Sequence, residues 1–480
     1  MTEELWEVLL LASIAFASPL LGKLAGFAQP LSRLLVGFVF LIGLWALVFW
    51  SISILSIPSV STGLLFLAMS GLVVVMLLPK EWANRDYWKA VLLGVAFGVV
   101  AFVSKHLLRI GERFHEDSIY IVWHALTDFS FFEMSDNVKR GFLYPLLLSM
   151  GFGDSLFISL TPLVFIFLVA LTLAVARDLT RDLVSLNQFT VLAGVLAVLA
   201  GSIPIVQIMV FYLNSHTLIA LGVGFIVAGV LFSQRGYTID RQVIALLLIG
   251  GLVTTWSRYE GFLIALLMLL PFLALVEARS RHDRAVVFAV VLAPAVWWAM
   301  WSSRSGLPFD FFPRFTEWAL VAAFAIALAL VLLPALDRFR GILIPVGIFV
   351  VTAMAGVLVW LDYNKVPDQI MNIFMGLGGW GFAAPGFLLV LFLVGIRLRS
   401  RTYRLLLVWV FLAIIGTIAL KLLDGTSLGR RGFNDSMNRA WMHWFVPFSV
   451  TVLRGVSEMV ALATKSGQNR LTPPKLKTRI

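Results

Sequence analysis

KHLLRIGERFHEDSIYIVWHALTDFSFFEMSDNVKRGFLYP, residues 105–145, is the longest polar interval in a chain that is otherwise almost continuously apolar. The fold follows from what this interval interrupts. The chain has 480 residues, 60% of them hydrophobic and 13% charged, and no soluble core of one chain this size buries so much apolar surface. A lipid-exposed backbone must satisfy its own hydrogen bonds, which leaves helices or a closed barrel. The apolar runs are continuous rather than alternating, which argues against a barrel.

A span needs roughly 20 apolar residues to cross about 30 Å of hydrocarbon. Before the polar interval this rule places helices near 5–22, 32–55, 61–78 and 89–105. After it come 155–176, 188–212, 215–233, 241–256, 258–277, 285–302, 317–336, 341–360, 385–398, 403–421 and 442–460. The expected fold class is all-α, a polytopic transmembrane helical bundle of about 15 spans. The start of the chain is acidic, so it reads as a first span rather than a cleavable signal.

Basic residues set the expected orientation. Lys80, Arg85, Arg177, Arg181, Arg279, Arg281, Arg338, Arg340, Arg397 and Arg399 fall in alternate short loops, which the positive-inside rule assigns to the cytoplasm. The N-terminus is then outside, the C-terminus is cytoplasmic, and residues 105–145, 303–316, 361–384 and 422–440 face outward. The net charge of +11 is thereby used for orientation, and nucleic acid is excluded as a partner. The chain divides into N-terminal helices 1–87, a core 88–302, a C-terminal bundle 303–464 and a basic tail 465–480. There is no cysteine, so neither disulfides nor thiolate metal sites arise.

Polar side chains concentrated at one place in a membrane protein mark its function. If 116–128 is helical, Asp117, Ile121, His124 and Asp128 share one face, and Glu116, Tyr120 and Trp123 a neighbouring one. Such interfacial helices in the first long external loop hold a carboxylate at fixed height, where a general base meets an acceptor from outside. The plain alternative is that both acids favour a helix start. Arg258 and Glu260 sit between two spans. A guanidinium there suits phosphate oxygens; otherwise the two residues pair with each other. Arg439 and His443, with Trp441 and Trp444, combine cations and aromatics fit for a phosphate and a sugar, or form an aromatic belt. Lys139 and Arg140 either meet a phosphate or anchor the interface. His115, His124, Glu116 and Asp117 show no recognisable metal-ligand spacing, so a divalent metal has no support and no cofactor is required. His216 reads as a helix-end residue.

These features together resemble the GT-C superfamily of polytopic glycosyltransferases, which includes the protein O-mannosyltransferases and the lipid A aminoarabinose transferases. The resemblance rests on Glu116-Asp117-Ser118-Ile119-Tyr120, where the family often shows Asp-Glu-x-x-Tyr. It rests also on the Arg140–Leu146 stretch, on Arg258 to Gly261, and on Arg439 followed by Pro447. It covers about 88–302 and 439–460. The acidic pair is reversed, so either Glu116 or Asp117 corresponds to the family's catalytic aspartate, and spans before 88 are unexplained. The resemblance implies an enzyme in the plasma (inner) membrane with an extracytoplasmic site. It would transfer a sugar from a polyprenyl-phosphate donor to a glycan, lipid or protein acceptor. Asp117 or Glu116 would be the base, Arg258, Arg439, Lys139 and Arg140 would hold the donor phosphate, and Tyr120, His124, Glu260 and His443 would contact substrate. The competing expectation is a transporter or flippase of a lipid-linked or anionic solute. That reading predicts midplane charges and repeated broken helices, and neither is visible here.

Overall fold

The computed structural model describes residues 2–54, 61–110, 143–152, 155–204, 215–233, 240–258, 261–275, 281–304, 316–334, 401–423 and 441–471, with isolated positions at 206–213 and 342–389. Among these residues the structure is all-helical. In chain order the helices are α1 (Glu3–Leu24), α2 (Pro30–Ile54), α3 (Thr62–Glu81), α4 (Arg85–Leu107) and a short α5 (Leu143–Leu148). Then follow α6 (Leu160–Thr180), α7 (Leu186–Gly201), α8 (His216–Ser233), α9 (Arg241–Ser257), α10 (Gly261–Leu275), α11 (Arg281–Arg304) and α12 (Thr316–Val331). The last are α13 (Arg401–Leu423) and, after a 3-10 turn at Trp441–Trp444, α14 (Phe445–Leu471).

Seven helices among the described residues are long and apolar enough to cross a membrane, and the chain is a membrane protein. The expected spans at 341–360 and 385–398 and the interfacial helix at 116–128 lie largely or wholly outside the described residues. Local chemistry sets the helix starts. Thr2 Oγ1 accepts from Leu5 N at 3.3 Å ahead of α1, and Asn84 Oδ1 accepts from Asp86 N at 3.0 Å ahead of α4. Asp240 does the same for Val243 N at 2.8 Å ahead of α9. Ser185 and Gln188 form a reciprocal capping box that opens α7.

The helices divide into a lipid-facing rim and a buried centre. Helix α3 exposes Leu72, Val75 and Met76, α4 exposes Leu92 and Val99, and α7 exposes Val191 and Val198. Side chains of this kind belong against hydrocarbon. Helix α8 is buried from His216 through Leu231, as expected of a helix apolar on every side. It meets α9 at backbone distance. A Cβ on Gly222 would lie 2.4 Å from Thr254 Oγ1, and one on Gly250 would lie 2.7 Å from the Gly222 carbonyl oxygen. Small residues permit such approach where lipid supplies no hydrophobic drive.

Long-range hydrogen bonds define the two ends of the bundle. Trp6 Nε1 donates to Met150 O at 2.7 Å, and Thr62 Oγ1 to Ser149 O at 2.6 Å. Trp45 Nε1 donates to Thr62 O at 3.2 Å. These bonds bring the start of α1, the end of α2, the start of α3 and the segment after α5 together at what we call the Glu7 end. At the opposite, Arg33 end, Gln242 Nε2 donates to Gly26 O at 2.6 Å, beside the close of α1. Helix α9 therefore runs from the Arg33 end to the Glu7 end and delivers Arg258 there. The packing of Gly222 on Thr254 brings His216 to the same end.

Candidate functional site

Arg258 follows the last residue of α9 in extended conformation and is partly exposed. The turn behind it is tight. Gly261 N donates to Arg258 O at 3.0 Å, and a Cβ on Gly261 would lie 1.9 Å from the Thr254 carbonyl oxygen. Only glycine lets α10 begin so close to α9. The hydroxyls of Thr254, Thr255 and Ser257 return to carbonyls in their own helix, those of Gly250, Gly251 and Val253. That leaves the arginine as the ionisable group on the last turn of α9.

His443 lies within electrostatic reach of Arg258. It sits in the 3-10 turn before α14 and is only 1% exposed. Its Nε2 is 2.8 Å from His216 Nδ1, and the two rings are stacked with centroids 4.9 Å apart at 22°. Beside it, Trp444 Nε1 donates to Thr417 Oγ1 at 2.6 Å and ties the turn to α13. Arg258 and His443, distant in sequence and singled out for phosphate and substrate, thus lie at the same end of the bundle. Sequence reading left His216 as a helix-end residue. It does begin α8, but it is buried and bonded to His443. Among the described residues the far ring nitrogen, His443 Nδ1, has no hydrogen-bond partner, nor do the buried hydroxyls of Ser215 and Thr217 on either side of His216.

A second polar cluster at the same end was not foreseen. Glu7, 1% exposed, accepts from Ser159 Oγ at 2.6 Å and from Ile158 N at 3.1 Å. It also pairs with Lys105 Nζ at 3.0 Å. Lys105 closes α4 and Ser159 opens α6, so one carboxylate ties together the flanks of the polar interval. In sequence the signal was available: an acid that stands where the first turn of a helix gives way to an apolar run requires a partner. The Tyr144-Pro145-Leu146 stretch of the family resemblance lies in α5, wholly buried, with Tyr144 Oη 2.6 Å from Thr161 Oγ1.

Glu116, Asp117, Tyr120, His124, Lys139, Arg140, Glu260 and Arg439 lie outside the described residues. Among the described residues no three His, Cys, Asp or Glu side chains converge as metal ligands do. Comparison with protein families, curated proteins and solved structures finds no match to this chain.

Proposed function

We propose that the chain is a membrane glycosyltransferase that moves a sugar from a polyprenyl-phosphate donor to an acceptor at the extracytoplasmic face. The observation that carries the reading is that Arg258 and the buried His216–His443 pair lie at the end of the bundle from which the acidic 105–145 interval departs. In this reading the bundle has about 15 spans, is GT-C-like, and lies in the plasma membrane with its N-terminus outside. Arg258, assisted by Arg439, Lys139 or Arg140, holds the donor phosphate. Asp117 or Glu116 takes the proton from the acceptor hydroxyl as its oxygen bonds to the anomeric carbon. The bond from that carbon to the phosphate oxygen breaks, and the phosphate leaves with the electron pair. Attack opposite the leaving group inverts the centre. Cations that stabilise the departing charge make a general acid dispensable.

Purified protein in liposomes, given radiolabelled polyprenyl-phosphate sugars and membrane-extract acceptors, tests this. The Asp117→Asn, Glu116→Gln double variant should lower transfer by on the order of 10²–10⁴ while donor binding persists. Near-normal transfer in that variant sinks the assignment of the base. Movement of labelled lipid between leaflets without transfer identifies a flippase.

A further inference from the structure

We propose that the His216–His443 pair is an oxyanion site, in which His216 sets the tautomer of His443 so that Nδ1–H donates to an oxygen of a phosphate group drawn in by Arg258. The ligand class deepens the glycosyltransferase reading and rests on it; the site itself rests on the orphaned ring nitrogen.

A buried polar atom without a partner is costly, and such atoms in a native fold call for an unseen water, ion or ligand. His443 Nδ1 is one among the described residues, and the hydroxyls of Ser215 and Thr217, next to His216 in the chain, are two more. The isolated hydroxyls of Ser18 and Ser457 are likewise without partners, but neither belongs to the stacked pair. One proton lies in the 2.8 Å contact between His216 Nδ1 and His443 Nε2. If His443 supplied it, Nδ1 would present a lone pair, which repels an anion. If His216 supplies it, Nδ1 carries hydrogen and donates. With neutral rings, an anion attracted by Arg258 fits only the second arrangement. Stacking on His216 holds the His443 ring in place, so Nδ1 points in one fixed direction. His443 touches the ligand; His216 is a positioning residue acting through it.

Amide substitutions separate this role from a structural one. The asparagine amide superposes on histidine Nδ1 and the glutamine amide on Nε2. His443→Asn keeps a donor for the ligand and gives up the bond to His216. His443→Gln keeps that bond and removes the ligand donor. Binding is read with purified wild type and both variants in nanodiscs, with farnesyl phosphate as the lipid-borne probe and inorganic phosphate as the free one. The expected result is a loss of roughly 10-fold or more in affinity for His443→Gln, with His443→Asn closer to wild type. In ¹⁵N-histidine-labelled protein, which has six histidines, the probe should shift the His443 Nδ1 resonance, and His216→Phe should weaken that shift. Saturation by inorganic phosphate alone assigns the site to free phosphate; a requirement for the prenyl chain assigns it to a lipid headgroup. Tolerance of His443→Gln with loss in His443→Asn identifies a structural pair and overturns the proposal. So does a His443 signal unmoved by either probe, which assigns the nitrogen to a buried water. Sugar transfer by a protein whose His443 ignores phosphate retains the enzyme reading and rejects this site. Phosphate binding at His443 without transfer does the reverse.

Discussion

The two ends of the bundle treat their buried polar groups differently. At the Arg33 end the charges are closed off. Arg33, 2% exposed, donates to Phe27 O at 3.1 Å and to Glu81 Oε2 at 3.1 Å. Asn84 Nδ2 donates to the same carboxylate oxygen at 2.6 Å. Arg454 bonds both Glu458 and the Leu179 carbonyl, and Arg177 Nη1 reaches Val184 O at 3.0 Å. Each cation is consumed by a carboxylate or a helix-end carbonyl, as structural groups are. The Glu7 end holds one cluster of this closed kind, Glu7–Lys105–Ser159. It also holds an open one, where among the described residues His443 Nδ1 has no partner. Buried polarity alone does not separate the two ends; the unpartnered ring nitrogen of His443 does.

The contrast can be tested in descending order of effect. Glu7→Ala leaves the part-buried Lys105 without its carboxylate and also strips Ser159 and Ile158 of their acceptor. Breaking a buried pair in this way costs about 3–5 kcal/mol, read as a lowered unfolding midpoint in detergent. If stability is unchanged, the cluster is not closed in the sense argued here. A smaller effect is expected at the α8–α9 contact. Gly222→Ala drives a methyl into Thr254 and should cost about 1–3 kcal/mol by overpacking. It should also weaken phosphate binding, since it displaces the helix that begins at His216. Gly71→Ala is the control, because a Cβ there meets nothing within 4 Å, and it should leave both readouts unchanged or raise stability slightly. Equal effects at the two glycines would remove the argument for a tight α8–α9 seam. The smallest effect concerns the lone hydroxyls. Ser457→Ala and Ser215→Ala each delete an unpartnered buried group and should be neutral or stabilising by about 1 kcal/mol without ligand. Only Ser215→Ala should reduce phosphate-induced stabilisation in a thermal shift. Loss of that stabilisation in Ser457→Ala as well would blur the distinction between the ends.

The helices were readable in the sequence because lipid imposes a length and an apolar composition on each. The expectation of a helix at 89–105 met one at Arg85–Leu107, and that at 215–233 met His216–Ser233. Apolar run length is a local property, and capping residues are local as well. The candidate site was legible only in part. Arg258 and His443 stood out as ionisable residues near span ends, but the bond of His443 to His216 could not be read. The His216–His443 bond spans 227 residues and the Glu7–Ser159 bond 152. No periodicity encodes such partners. A Glu at the edge of an apolar run, or a histidine opening an apolar helix, announces that it needs a partner without saying which.

The Glu7 cluster also bears on how the protein is made. Helix α1 emerges from the ribosome before α6, and the last donor to its carboxylate is Ser159, the residue ahead of α6. At about 5–20 residues per second, the 151 residues between Glu7 and Ile158 leave that carboxylate incompletely partnered for on the order of ten seconds during synthesis. An ionised acid is a poor passenger in hydrocarbon. The nascent first helix must therefore wait with Glu7 at the water boundary, or in the company of the insertion machinery. It seats fully only when α4 and α6 have followed it into the bilayer.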